Sequence, residues 1–121
     1  MAQRILLVED EPNLILSIKM CLQNEGFDVS VATDGAAAVN KAFEEHPDLI
    51  LLDIIIPKLS GYLVCEALKA DERTKSIPIV VISAKAQQQD IKRAMEVGAV
   101  DYLVKPFHPR ELVQMVKKFI A

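Results

Sequence analysis

Leu49-Ile50-Leu51-Leu52-Asp53 is the stretch that decides the fold: four apolar residues in a row, without alternation, and then a carboxylate. A strand with one wet face alternates apolar and polar side chains. An unbroken apolar run of this length suits a strand covered on both faces, as in a parallel sheet between helical layers. Three more segments have the same form. Ile5-Leu6-Leu7-Val8 runs into Glu9-Asp10-Glu11, Ile79-Val80-Val81-Ile82 into Ser83, and Tyr102-Leu103-Val104 into Lys105-Pro106. Parallel strands end on one shared edge of their sheet, and open α/β sheets bind ligands there. Acids, a hydroxyl and an ammonium that are far apart in sequence are therefore expected in one small volume.

The segments between these runs carry helical period. Pro12 suits a helix first turn, and Leu14, Ile18, Cys21 and Leu22 mark one apolar face, with Gly26 placed to end the helix. Phe27-Asp28-Val29-Ser30-Val31-Ala32 alternates with period two and reads as a half-exposed edge strand. Asp34 is a candidate N-cap for a helix lined by Val39, Ala42 and Phe43, which His46-Pro47-Asp48 breaks. A third helix shows Val64, Ala67 and Leu68 on one face, and a fourth, over residues 86–97, turns Ile91, Ala94 and Met95 inward and stops at Gly98. Pro109, preceded by His108 as cap, starts a last helix with Leu112, Val116 and Phe119 spaced for burial. The order is βαβαβαβαβα. It predicts a doubly wound, five-stranded parallel sheet with five helices on its two faces, a flavodoxin-like fold with strand order 2-1-3-4-5. The switch point of that order lies between strands 1 and 3, where Glu9, Asp10 and Asp53 meet.

A chain of 121 residues is one domain by size and buries enough surface to fold without staples. With 51% hydrophobic and 26% charged residues, it has the composition of an ordinary globular protein. Its net charge of −3, and no basic run longer than Lys117-Lys118, argue against nucleic-acid binding through this domain. Cys21 and Cys65 lie within apolar helical patterns and read as packed thiols. No secretory h-region and no membrane-length apolar run is present, so the expectation is a cytoplasmic protein that does not engage a membrane.

Three carboxylates in one crevice repel. A unit pair at ~4 Å is worth ~4 kcal/mol at an effective dielectric of ~20. Lys105 offsets one of the three charges of Glu9, Asp10 and Asp53, and a divalent cation would balance the remaining two. Hard oxygen donors with room for water suit Mg²⁺, which usually takes one or two carboxylates plus phosphate oxygens. Asp53 is then the candidate nucleophile, since aspartyl carboxylates accept phosphoryl groups. Lys105 would offset charge on the transferring group, and Ser83 carries a hydroxyl that can donate to a phosphoryl oxygen.

These residues resemble the response-regulator receiver domain of two-component signalling, of the stand-alone chemotaxis and phosphorelay type. The match runs over residues 4–119. It rests on Glu9-Asp10, Asp53, Pro57 and Gly61 in the following loop, Ser83-Ala84, and Lys105-Pro106-Phe107. The resemblance implies phosphorylation of Asp53 from a phosphohistidine on a sensor histidine kinase or histidine phosphotransfer protein. It implies Mg²⁺ held by Asp10, Asp53 and the backbone carbonyl of Ile55, with Glu9 acting mainly through water. It also implies that Lys105 pairs with the phosphoryl group, that Lys105–Pro106 is cis, that Ser83 swings toward the phosphoryl oxygens, and that Tyr102 turns inward. The surface of the fourth helix, fifth strand and fifth helix would change shape for a downstream protein target. Glu9 stands where aspartate is common, Ile56 where methionine is, and Ser83 where threonine is. Ile55 and Lys85 occupy positions that tune phosphoryl lifetime; neither activates water, which points to slow self-dephosphorylation.

Particular residues speak against rival readings. An aspartate-nucleophile phosphatase usually carries a second acid two residues after the nucleophile, where this chain has Ile55. A flavodoxin-like cofactor carrier needs a first loop that welcomes phosphate, and Glu9-Asp10-Glu11 repels it. The P-loop pattern is missing. A metal-independent interaction module would not respond to Mg²⁺. The expectation is a signalling switch whose only catalysis is its own gain and loss of phosphate. No effector domain follows Ala121 in this sequence, so its output is expected to be protein binding.

Overall fold

The computed structural model describes residues 2–120. Five strands alternate with five helices: β1 (Arg4–Val8), α1 (Pro12–Asn24), β2 (Asp28–Ala32), α2 (Gly35–Glu45), β3 (Leu49–Asp53), α3 (Gly61–Ala70), β4 (Ile79–Ser83), α4 (Gln88–Glu96), β5 (Asp101–Val104) and α5 (Pro109–Phe119). The strands form one parallel sheet in the order β2-β1-β3-β4-β5, as the alternation of runs predicts. The continuous apolar strands β1, β3 and β4 are central, and the alternating β2 is an edge.

Strand pleating divides the core. Leu6, Val8, Ile50, Leu52, Ile79 and Val81 face α2, α3 and α4. Ile5, Leu7, Leu49, Leu51, Val80 and Ile82 face α1 and α5. Each such side chain, fully buried, contributes about 1.5–3 kcal/mol relative to exposure. Cys65 is packed in the first cluster and Cys21 is half-buried beside the second; both are free thiols.

The ends of the helices follow local chemistry. Gly26 and Gly98 adopt left-handed backbone, with φ of +91° and +111°, where α1 and α4 stop. His46 ends α2 in the same region, and His108 caps α5, its Nδ1 accepting from the Arg110 N–H. Asp34 caps α2 by accepting from the Ala37 N–H at 2.8 Å. Asp34→Ala is expected to cost about 1 kcal/mol, read as a lower urea midpoint at unchanged slope.

Two helix faces differ from the sequence expectation. Ala67 is exposed; the buried stripe of α3 is Gly61, Val64, Cys65 and Leu68, and position 67 falls off it. Met95 is 44% exposed rather than inward, and α4 begins at Gln88 rather than at residue 86. The stripe of α4 runs through Ile91, Ala94 and Val97, and residue 95 lies about 100° round the helix from its buried centre, Ala94. Of the described residues of α4 only Ala94 is fully buried, so this helix rests lightly on the core.

Candidate phosphoryl-transfer site

The same pleating that divides the core sorts the polar residues at the strand ends. Asp53 continues the face of Leu49 and Leu51, toward α1 and α5. Glu9 extends the face of Ile5 and Leu7, and Lys105 that of Leu103, because the ladder runs one step past both strands. The Glu9 N–H donates to the Ala32 carbonyl and the Lys105 N–H to the Ser83 carbonyl. Ser83 continues the opposite face, that of Ile79 and Val81, and Tyr102 packs on the same side.

The structure brings Glu9, Asp10, Asp53 and Lys105 together. Lys105 Nζ donates to Asp53 Oδ2 and to Glu9 Oε1, both at 2.7 Å. The second oxygen of Glu9 accepts from the backbone N–H groups of Asp10 at 3.1 Å and Glu11 at 3.2 Å. Asp53 Oδ1 accepts from the Ile55 N–H at 3.0 Å. Glu9 is 1% exposed and Asp53 5%, whereas Asp10 lies open to solvent. Burial pushes the Glu9 carboxyl above its usual range; the Lys105 bond opposes this, the Asp53 charge adds to it, and the net shift is upward. Burial alone would lower the Lys105 ammonium, but its bonds to Asp53 and Glu9 outweigh that and raise it. The two directions have different leading causes: burial for the Glu9 carboxyl, and two carboxylate partners for the Lys105 ammonium.

The donor set fits a hard divalent cation. One carboxylate oxygen from each of Glu9, Asp10 and Asp53 lies within 4.8 Å of the others. Both Glu9 oxygens already have protein partners, as do both oxygens of Asp53. The Ile55 backbone, tied to Asp53, places its residue at the rim of the cluster, and its side chain is 58% exposed. The Lys105–Pro106 peptide is cis, as the resemblance implies.

Ser83, at the end of β4, and Tyr102, within β5, meet the β4–α4 loop instead of the carboxylates. Ser83 Oγ accepts from the Lys85 N–H at 3.2 Å, and the Tyr102 hydroxyl donates to the Lys85 carbonyl at 2.8 Å. One contact escaped the sequence reading: the buried ring of Tyr62 lies beneath Arg93, 4.0 Å from guanidinium to centroid. Residues 62 and 93 share no spacing rule, since their meeting depends on how α3 and α4 pack. A second feature, also unforeseen, is an apolar groove of about 420 Å³ beside Lys105, lined by Leu14, Ile18, Cys21, Phe107 and Leu112.

Comparison with known proteins agrees with this geometry. The family model described as "Response regulator receiver domain" matches residues 5–117. The DNA-binding response regulator MtrA of Mycolicibacterium smegmatis is 44% identical over 117 residues, covering 97% of this chain and 50% of MtrA. The chain thus spans about half the length of the curated relatives it matches. Among solved structures, the Vibrio cholerae chemotaxis protein CheY4 superposes with a TM-score of 0.93 at 27% identity, covering 99% of this chain and 100% of the other. The receiver domain of sensor histidine kinase PA1611 from Pseudomonas aeruginosa, with a magnesium ion coordinated in its active-site cleft, gives 0.92 at 36% identity, covering 99% and 98%. With the family model spanning nearly the whole sequence, and with strand order and strand-end residues in agreement, this chain belongs to the response regulator receiver domain family.

Proposed function

We propose that this domain is a phosphorylation-dependent signalling switch in which Asp53 accepts a phosphoryl group from a histidine kinase or a histidine phosphotransfer protein. The observation that carries the reading is the Asp53 carboxylate held 2.7 Å from the Lys105 ammonium in a cleft shared with Glu9 and Asp10. Mg²⁺ would be held by Asp10, Asp53 and the carbonyl of Ile55, with Glu9 acting mainly through water. When bound, it would offset the charge of the carboxylates and of the incoming phosphoryl oxygens.

In the transfer, a carboxylate oxygen of Asp53 bonds to phosphorus as the phosphorus–nitrogen bond of the donor breaks. The bonding pair leaves with the imidazole nitrogen, which takes up a proton. Lys105 is already fixed against Asp53 and needs no reorganisation to meet the added charge. Ser83 then exchanges its Lys85 N–H contact for a phosphoryl oxygen, to which its hydroxyl donates. Tyr102 leaves the Lys85 carbonyl and turns inward, which reshapes the face of α4, β5 and α5. No acid follows two residues after Asp53, so release of phosphate is slow and the domain works as a switch with only its own phosphorylation and dephosphorylation, not as a turnover enzyme.

The negative charge of the domain supports an output through protein contact. Among the described residues no helix is long and apolar enough to cross a membrane. A relative named as DNA-binding is about twice as long, and the same switch would serve a longer protein of that kind. Incubation with acetyl phosphate and Mg²⁺ is expected to add the mass of one phosphoryl group to the intact protein and none to Asp53→Asn. No gain in the wild type, or equal gain in the variant, would refute the assignment.

A further inference from the structure

We propose that Tyr62 is a positioning residue of this switch, which holds the first turns of α4 in their resting place and joins that helix to the backbone of Asp53. The coupling to phosphorylation rests on the function proposed above; the tether itself rests on geometry. Tyr62 directly follows Gly61, whose N–H donates to the Ile54 carbonyl at 2.9 Å. A Cβ at position 61 would lie 2.6 Å from the Asp53 carbonyl oxygen, so α3 begins in closest contact with the nucleophile's own peptide. From that seat the Tyr62 ring, 5% exposed, reaches α4. Its hydroxyl donates to the Asp90 carbonyl at 3.3 Å, and the Arg93 guanidinium covers its face.

Little else fixes this end of α4. Gln87 stands at the N-cap without a side-chain cap bond, and Ala94 is the helix's only fully buried described residue. Cys65 Sγ donates to the Val97 carbonyl at 3.5 Å, but at the far end. The exposed segment from Ala84 to Gln89 is therefore tied at its two ends, by Ser83 and Tyr102 at Lys85 and by Tyr62 at Asp90 just beyond it. The Tyr102 tether responds to Ser83, and the Tyr62 tether to the loop after Asp53. A contact that favours the resting position of α4 opposes any state in which α4 moves, and by linkage it weakens the ligand that selects that state.

Tyr62→Phe removes the hydroxyl and keeps the ring, while Arg93→Gln removes the stacked cation and keeps a good helix former. Hydrogen exchange on the unliganded variants is expected to speed up about three- to tenfold at the amides of residues 92–97, with the strands unchanged. Beryllofluoride with Mg²⁺, a phosphoryl mimic, is expected to bind each variant about threefold tighter than wild type. Unchanged exchange in both variants overturns the tether. Faster exchange with unchanged or weaker beryllofluoride binding overturns the coupling and leaves Tyr62 a packing residue. The exchange measurement uses unmodified protein, so it fails independently of any failure of Asp53 to gain phosphate.

Discussion

Lys105→Met lowers stability by about 3 kcal/mol at neutral pH without Mg²⁺, the low end of the cost of removing one partner from a buried ion cluster. Methionine fills much of the volume, so the loss is electrostatic. Glu9 and Asp53 are left facing each other at the strand ends with backbone N–H donors as their remaining protein partners. The pH dependence follows from Glu9. Its carboxyl is already raised by burial against the Lys105 bond, and removing that bond raises it further. An acid whose folded pKa exceeds its unfolded value favours the folded state at low pH, and that advantage is lost as pH rises through the folded pKa. The gap between variant and wild type is thus small near and below the ordinary glutamate range and widens as pH climbs above it. The raised Lys105 makes its full contribution in the wild type below the usual lysine value and loses it as pH rises from there through its elevated pKa. Mg²⁺ acts oppositely, since a divalent ion replaces the lost charge. Thermal melts are expected to rise more with Mg²⁺ in the variant than in the wild type. Equal melting of the two proteins across neutral pH, or loss of the Mg²⁺ response in the variant, would remove Lys105 from the role assigned to it.

The sheet was legible because its central strands are buried on both faces, and burial on both faces leaves an uninterrupted apolar run at Leu49–Leu52 and Ile79–Ile82 that no helix of this size needs. The site was legible for the same reason: a parallel sheet turns four sequence-distant run ends into neighbours. The sharing of the site between two faces was less visible. Ser83 and Asp53 both close strands, yet the register sets Asp53 against Ile82 and Ser83 against Val104, so their side chains leave opposite sides of the sheet. Alternation contains this fact, but only once the register is known. Met95 and Tyr62 mark another limit. Periodicity reports which face of a helix is apolar, not how deeply the helix sits. A shallow α4 leaves Met95 in solvent, while its flank covers Tyr62.

Gly61→Ala is expected to lower the melting temperature by about 10 °C or more and to slow acetyl-phosphate labelling by at least about tenfold. The reason is room, not backbone freedom. The new methyl carbon would sit 2.5 Å from the Ile54 Cα and 2.6 Å from the Asp53 carbonyl oxygen, and both are backbone atoms that no rotamer change can clear. The N-terminus of α3 must back away, at the upper end of the ~1–3 kcal/mol range for overpacking. Its bond from the Gly61 N–H to the Ile54 carbonyl stretches, and the Asp53–Ile55 turn that aims the carboxylate loses its support. Displacing a nucleophile by ~1 Å can cost ~100-fold in rate, so the labelling defect exceeds what partial unfolding explains. Gly26→Ala is the matched control. Position 26 has open space but a φ of +91°, so its cost is strain of roughly 1 kcal/mol, remote from Asp53, with labelling unchanged. Melting and labelling rates of the two variants, measured well below both transitions, separate the cases. A Gly61→Ala protein that melts within a degree or two of wild type and labels at the same rate would mean that α3 is not seated on the nucleophile's peptide, and the route from Asp53 through Tyr62 to α4 would lose its first step.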